Sequence, residues 1–362
     1  MYTVLVCDDD IAILDSVEIY LKLEGYNVLR AENGRAAQIE TLSGVIHAKS
    51  TAAKLGRLIE TLEPADYPED STERALLARL RGRKVVYYGH STMEDFRGSF
   101  RGSDQLAPLF RRWIIFCYGL GDVVLTPTEY ARGLLEGYGL KRPVYSISNG
   151  VDTSFFRPDP SLRETFRRRY GPCKGEQAVI SVGHTIARKG LPEFLELARR
   201  LPQVRFLWFG WTDPRLVPAE IRRAMEAAPD NVQFPGFVDR ERLREAYCGA
   251  DAFAFLSHEE TEGIVVLEAL ACGIPMVVRN IPVYQGWLKN GKNVYKASNT
   301  DEFVQIVMGL LDKSLPDLTP AGRLTAESRS LEAVGCRLRE IYRKERVLPP
   351  LPAPVRGERA HA

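Results

Sequence analysis

Short apolar runs alternate with longer segments of helical periodicity along most of the chain. The runs are rich in β-branched residues and predict strands at Thr3 to Cys7, Val45 to His47, Val85 to Tyr88, Val123 to Thr126, Val144 to Ile147, Ala178 to Val182, Arg205 to Phe209, Val232 to Phe234, Ala252 to Leu256 and Pro275 to Val278. Strands that alternate with helices favour parallel sheets covered by helices on both faces. The predicted fold class is therefore α/β, with two doubly wound Rossmann-like domains that face each other across a cleft.

The alternating pattern pauses between about Phe155 and Gln177. Pro158, Pro160 and a charged run before Gly171 predict an interdomain hinge there. A length of 362 residues also favours two domains. We therefore predict four regions, namely a strand–helix–strand start at 1–37, a first domain at 38–160, a second domain at 161–345 and a disordered proline-rich tail at 346–362.

Composition narrows the classes of function. The formal net charge of +2 argues against nucleic acid as the default partner. The six cysteines are scattered and no histidines stand at metal-ligand spacing, which favours a reduced cytoplasmic compartment and argues against structural zinc. No stretch approaches the length of a membrane span, and acids follow the first apolar run, so we expect neither secretion nor a bilayer crossing.

The stretch from Ser257 to Pro275 joins acids, a glycine and an apolar helix start in one order. Gly263 lets the backbone approach a ligand, and the N–H groups after it, together with the helix dipole, suit a phosphate. Glu260 and Glu268 would flank such a ligand from two sides. The alternative is an ordinary buried helix with a solvated acidic start.

Four signatures in one order carry a family resemblance. They are Asn149-Gly150-Val151-Asp152, Val182-Gly183-His184 with Lys189-Gly190, Asn231-Val232 with Gly236-Phe237-Val238, and the pair Glu260 and Glu268, which matches an EX7E motif. On these motifs, residues from about Lys84 to Phe303 resemble a retaining glycosyltransferase of family 4, with the GT-B fold. Two segments, Tyr87-Tyr88-Gly89-His90-Ser91-Thr92 and Glu259-Glu260-Thr261-Glu262-Gly263, are similar to the corresponding segments of bacterial diacylglycerol glucosyltransferases.

The resemblance implies a hexosyltransferase that moves glucose from UDP-glucose to a diacylglycerol-type lipid, a step of glycolipid synthesis. Its expected partners are the nucleotide sugar, the lipid acceptor and an anionic membrane, with a peripheral position on the inner face of the cell membrane. No cofactor and no divalent metal are implied. The alternatives are a family 4 enzyme with another sugar or a polysaccharide acceptor, and a receiver-regulated or inactive chimera.

The resemblance also assigns roles to residues. Lys189 would neutralise the diphosphate leaving group, Glu260 would lie close to the sugar, and His90 would lie near the transferred sugar. The donor phosphate itself would take the acceptor proton, so that the protein supplies position and charge stabilisation. Glu268 would bind the ribose, the backbone near Phe237 and Val238 the uracil, and the first N–H groups of the helix the diphosphate; the full donor-binding set is His184, Arg188, Lys189, Phe237, Val238, Gly263, Ile264, Val265 and Glu268.

Two histidines leave alternatives open. The family usually has arginine where this chain has His184, and neutral imidazole is the weaker diphosphate partner. Either His184 contacts phosphate, or it supports the loop and the role passes to Arg188. For His90 the alternative is a loop histidine that caps a helix, and His47 carries a weaker signal than either.

The first 37 or so residues resemble the opening strand, helix and strand of a response-regulator receiver. The acids Asp8, Asp9 and Asp10 follow the first strand, but the phosphoacceptor aspartate of a third strand is absent. A glycosyltransferase has a glycine-rich loop at this point, and three acids would repel a diphosphate at close range. Either the segment substitutes for the lost strand–helix–strand, or it is a nonproductive appendage.

The stretch from Phe96 to Tyr118 is basic and amphipathic, and it predicts a surface that docks on an anionic membrane. Its basic residues are Arg97, Arg101, Arg111 and Arg112, and its apolar residues are Phe96, Phe100, Leu106, Leu109, Phe110, Trp113, Ile114 and Phe116. The alternative is a core helix with a solvated basic face.

Overall fold

The computed structural model describes residues 3–7, 27–31, 84–97, 103–171, 175–213, 215 and 217–347. The predicted strand at Val45 to His47, the acids Asp8 to Asp10, Phe100 and Arg101 lie outside these residues, as does the tail beyond 347. Of residues 3–7 and 27–31 only the backbone is described. The resemblance of the first 37 or so residues to a receiver and the predicted disorder of the tail therefore stay predictions.

The described strands form parallel sheets. Strands β1 (Thr3–Cys7) and β2 (Asn27–Ala31) pair in a two-stranded sheet, and β3 (Val86–Tyr88), β4 (Val123–Thr126) and β5 (Val144–Ser146) form a three-stranded sheet in the order β3-β4-β5. The third sheet has the order β11-β10-β9-β6-β7-β8, with β6 at Gln177–Val182, β7 at Val204–Phe209, β8 at Val232–Gly236, β9 at Ala252–Phe255, β10 at Met276–Arg279 and β11 at Tyr295–Ala297. The predicted α/β class is confirmed.

Helices connect these strands and are numbered here among the described residues. They are α1 (Met93–Phe96), α2 (Ser103–Gly119), α3 (Glu129–Gly137), α4 (Leu162–Tyr170), α5 (Leu191–Arg200), α6 (Ala219–Glu226), α7 (Arg240–Gly249), α8 (Ile264–Cys272), α9 (Thr300–Leu311), α10 (Thr319–Glu327) and α11 (Leu331–Lys344). Short 3-10 helices lie at Ala187–Lys189 and Pro282–Tyr284. None of the helices within the described ranges is both long and apolar enough to cross a bilayer.

The six-stranded sheet has an apolar cluster on each face, which is why its strands read as nearly continuous hydrophobic runs. Every residue of β9 is buried, and its side chains alternate between the two clusters. Phe253 and Phe255 point into one cluster, whereas Ala252 and Ala254 point into the other. This double burial fixes the register of the strand ends that carry the candidate site.

Three features of the fold were not expected from the sequence. The predicted hinge contains α4, whose Phe166 is fully buried against the second domain's core. Strand β11 reads Tyr295-Lys296-Ala297, so a charged residue at its centre interrupts the apolar run that marks the other strands. Helix α11, assigned from the sequence to the second domain, packs Leu338 and Ile341 on the three-stranded sheet beside Leu125 of β4. The chain therefore returns to the first domain near its end.

Candidate active site at the strand ends

Loops at the carboxyl ends of strands from both large sheets meet in one region. The loops after β3, β4 and β5 come from the first domain, and those after β6 and β9 come from the second. Two contacts join them directly, because Thr128 Oγ1 donates to the carbonyl of Thr261 at 2.9 Å and Arg188 pairs with Asp95 at 2.6 Å. Ligands of doubly wound folds bind at such edges.

Lys189 and Glu260 form a shielded ion pair. Their Nζ and Oε1 atoms are 2.6 Å apart, and their side chains are only 14% and 8% exposed. Lys189 ends the 3-10 helix after β6, and Gly190 follows it with a φ of +82°. A Cβ atom at Gly190 would lie 2.4 Å from the Leu256 carbonyl oxygen, so only glycine lets the two loops approach this closely. The pair places an ammonium group at the strand ends with its geometry fixed in advance.

Arg188 is committed to a bridge between the domains. Its Nη1 contacts Asp95 Oδ1 at 2.6 Å and donates to the Glu259 carbonyl at 2.9 Å. Burial raises the pKa of Asp95, while the nearby charges of Arg188 and Lys189 lower it. Asp95 belongs to α1, which Thr92 caps by accepting from the Asp95 N–H. Arg188, predicted to bind donor phosphate, therefore already has an acidic partner from the first domain.

Gly263 opens α8 with a φ of +84°, a conformation that favours glycine. The N–H groups of Ile264 and Val265 belong to the first turn, where a helix offers donors without intrahelical partners. Together with the positive end of the helix dipole, this is the arrangement that suits an anion such as a diphosphate.

The remaining donor-binding candidates lie within α8 and in the loop after β8. Glu268 lies one turn into α8, and its Oε2 accepts from the hydroxyl of Tyr247 at 3.0 Å. Phe237 follows β8 and is 84% exposed, while Val238 packs partly against the core. An exposed ring after a strand end is free to contact a ligand, whereas Val238 anchors the loop.

The two histidines have different surroundings. His184 is exposed, and its Nδ1 lies 3.0 Å from the Trp211 carbonyl oxygen and 3.4 Å from Thr212 Oγ1. These contacts tie the loop after β6 to the loop after β7, which favours the supporting role for His184. His90 stacks on Tyr88, with ring centroids 4.6 Å apart. Tyr88 in turn donates to the carbonyl of Ile147 at 3.1 Å, which orients the stack.

Three acids at the domain boundary were missed by the sequence argument, namely Asp95, Glu259 and Glu262. Burial raises the pKa of Glu259 to about 7, helped by Asp95 and Glu94, while Tyr130 and Arg188 oppose the shift. Glu262 is completely buried. Glu259 and Glu262 flank the recognised Glu260, but only their partners from other segments distinguish them from a solvated acidic run.

Within the described ranges, no cluster of three or more histidine, cysteine or acidic residues is arranged to hold a metal ion.

Comparison with known proteins gives matches over both domains. The family model "Glycosyl transferases group 1" matches residues 163–321, and "Glycosyltransferase Family 4" matches residues 66–155. A processive diacylglycerol alpha-glucosyltransferase of Acholeplasma laidlawii is 37% identical over 261 residues, which are 72% of this chain and 79% of the relative. An alpha-galactosylglucosyldiacylglycerol synthase of Streptococcus pneumoniae is 30% identical over 214 residues, and this chain spans 56% of its length.

Among solved structures, HepE of Anabaena in complex with UDP and glucose superposes with a TM-score of 0.74. The match covers 95% of this chain and 100% of HepE at 16% identity. At that identity the likeness concerns the fold, and it supports the predicted GT-B arrangement of two Rossmann-like domains.

Proposed function

The chain belongs to the group 1 and family 4 glycosyltransferases, and from this premise we propose that it transfers glucose from UDP-glucose to a diacylglycerol-type lipid at a membrane surface. The observation that carries the proposal is the 37% identity to a diacylglycerol alpha-glucosyltransferase across 79% of that relative's length. The product would be a glycolipid, and the enzyme would be a 1,2-diacylglycerol 3-alpha-glucosyltransferase.

The donor would bind at the strand ends of the second domain. Lys189 would stabilise the negative charge that develops on the diphosphate as the sugar leaves, and its pairing with Glu260 at 2.6 Å supports this role because the ammonium is held in place beforehand. The N–H groups of Ile264 and Val265 would receive the phosphate oxygens, and Glu268 the ribose hydroxyls. Tyr247, which donates to Glu268, would orient that carboxylate.

The reaction needs little covalent chemistry from the protein. The donor phosphate would accept the proton of the acceptor hydroxyl on the same face of the sugar from which the diphosphate departs. The enzyme would therefore contribute position and charge stabilisation. We propose that neither a metal nor a cofactor takes part, and that the Lys189 ammonium and the first N–H groups of α8 contact the diphosphate instead. His90, which lies in the loop after β3 and stacks on Tyr88, would lie beside the transferred sugar.

The lipid would enter beside α2, which has an apolar outer face. Leu106, Leu109, Trp113 and Phe116 are 47%, 65%, 48% and 53% exposed, and their spacing puts them on one side of the helix. Exposed Arg112 lies among them. A helix with exposed aromatic and leucine side chains and an exposed arginine beside them suits the headgroup layer of an anionic membrane, so we propose a peripheral position on the inner face of the cell membrane.

Several residues predicted for this surface turn inward instead. Ile114 is only 3% exposed, and Phe96 stacks on Phe110 with centroids 4.0 Å apart. The guanidinium of Arg111 lies 5.1 Å from the ring centroid of Tyr138. The proposed docking surface is therefore the narrower stripe of Leu106, Leu109, Trp113 and Phe116 with Arg112.

The test is turnover by the intact chain with UDP-glucose and diacylglycerol in phosphatidylglycerol vesicles. We expect glucosyl-diacylglycerol and release of UDP, with no loss of rate in the presence of a metal chelator. Parallel reactions with UDP-galactose, GDP-mannose and a soluble sugar acceptor examine the alternatives. Faster transfer in any of these reactions would replace the proposed substrates, and no transfer in all of them would favour an inactive chimera.

A further inference from the structure

Glu262 is a completely buried carboxylate whose partners come from distant parts of the chain. Its Oε2 accepts from the backbone N–H of Asn149 at 2.8 Å, and its Oε1 contacts Arg329 Nη1 at 3.1 Å. Asn149 follows β5 of the first domain, and Arg329 lies in the segment that leads back to the first domain through α11. One side chain of the second domain therefore holds two elements that belong to, or lead into, the first.

The burial of this charge makes its partners indispensable. Desolvation raises the pKa of Glu262, whereas the hydroxyl of Ser148, the guanidinium of Arg329 and the Asn149 N–H favour the ionised form. Arg329 is itself held in place, because its guanidinium lies 4.4 Å from the ring centroid of Trp287. A buried carboxylate that loses a partner keeps its desolvation cost without compensation. The contact thus favours the arrangement in which the two domains stay together.

The position of Glu262 in the chain connects this contact to the donor site. It directly precedes Gly263, whose positive φ begins α8, and it follows Thr261, whose carbonyl accepts from Thr128 of the first domain at 2.9 Å. Two consecutive residues of the loop are therefore held by the first domain just before the helix end proposed to bind diphosphate.

From this juxtaposition we infer that Glu262 is a positioning residue that couples closure of the two domains to the diphosphate-binding end of α8. The inference rests on the proposed function in one respect, namely that the ligand at this helix end is a nucleoside diphosphate. Coupling is reciprocal: closure holds the loop in its binding conformation, and bound diphosphate stabilises closure by the same factor.

The test is Glu262→Gln in the full chain. The amide has one oxygen where the carboxylate had two, so a donor must face either the Asn149 N–H or Arg329. We expect a larger radius of gyration by X-ray scattering without ligand, and UDP affinity by calorimetry weakened by about 5- to 150-fold, the usual range for coupled sites. With saturating UDP the variant should still have the larger radius of gyration, because the link between bound diphosphate and domain closure is lost.

Glu245→Gln is the matched control. Glu245 is 6% exposed and pairs with Arg169 at 2.9 Å, but both residues lie within the second domain. We expect this variant to lower Tm while the radius of gyration and the UDP affinity stay at wild-type values. If Glu262→Gln likewise lowers only Tm, Glu262 is a structural residue and the inference is wrong.

Two further outcomes are separable. If Glu262→Gln does not fold, Arg329→Lys weakens the same contact from the other side and should produce the same pair of changes, or overturn the inference by producing neither. If the wild-type chain does not bind UDP, the proposed donor is wrong, and the ligand-free radius of gyration of the variants still decides whether Glu262 holds the domains together.

Discussion

The six-stranded sheet of the second domain and helix α2 of the first domain are both rich in apolar residues, but they use them differently. The sheet buries its apolar side chains on both faces, as in β9, where every residue is buried. Helix α2 buries Ile114 and Cys117 and leaves Leu106, Leu109, Trp113 and Phe116 in the open. A contiguous apolar stripe on a surface marks an interaction site, whereas a sheet covered on both faces provides rigidity.

The different burial of apolar side chains in these two regions fits two different roles in the proposed enzyme. The rigid sheet holds the loops of Lys189 and Gly263, where charge stabilisation needs fixed geometry. The exposed stripe of α2 has to meet an acceptor that is dissolved in a membrane, and there contact area matters more than exact placement.

The largest contrast should appear in stability. Replacing Phe253 of β9 by alanine leaves a cavity in a fully buried cluster and should lower the free energy of unfolding by about 3–5 kcal/mol. Phe116→Ala, the matched change on the exposed face of α2, should change it by about 0.5 kcal/mol or less. Urea unfolding followed by circular dichroism measures both. Equal losses would mean that the outer face of α2 is packed, and would remove the contrast.

Catalysis should depend on the rigid region. Lys189→Ala and Glu260→Gln should each cost about 3 to 4 kcal/mol of transition-state stabilisation, or roughly a hundredfold or more in kcat, because a preorganised charge is lost. Glu196→Gln breaks an exposed ion pair on α5 and serves as the control, with kcat unchanged. Initial rates with UDP-glucose provide the measurement. Near wild-type transfer by either site variant would refute the site assignment.

Membrane attachment should depend on α2 instead. The double variant Trp113→Ser and Phe116→Ser should lose co-sedimentation with phosphatidylglycerol vesicles while keeping its Tm. Each exposed arginine near an anionic surface contributes about 1 kcal/mol, so Arg112→Ser should weaken binding by about fivefold, and raised salt should weaken it further. Replacing Arg97, Arg101, Arg111 and Arg112 together by serine extends the series. Binding that ignores both salt and these substitutions would exclude α2 as the docking surface.

A further effect is a pH dependence at the domain boundary. Burial raises the pKa of Glu259 from 4.5 to about 7, so the folded state keeps a proton that the unfolded state releases near pH 4.5. Stability should therefore fall as pH rises from about 4.5 to about 7 and stay low above that range. Glu259→Gln removes the loss of stability that ionisation of Glu259 causes, and should therefore raise Tm at pH 8 more than at pH 5. An equal change at both pH values would show that Glu259 does not titrate in this range.

Much of the architecture was predictable because it is encoded locally. The strands from β3 to β10 that lie within the described ranges were predicted to within two residues at either end, since buried parallel strands leave continuous apolar runs in the sequence. Gly263 was predicted to open a helix from the apolar run that follows it, and α8 begins at the next residue. The spacing of Glu260 and Glu268 likewise follows from sequence order alone.

What the tertiary structure decided concerns contacts between residues far apart in sequence. Arg188 meets Asp95 from 93 positions away, and Glu262 meets the Asn149 N–H from 113 positions away. Neither contact leaves a periodic pattern, because the partners are brought together by the packing of two separate sheets. The return of α11 to the first domain is of the same kind, since its amphipathic pattern fits any apolar surface. Sequence therefore determined the elements and the motif, whereas only packing decided that Arg188 and Glu262 bridge the domains.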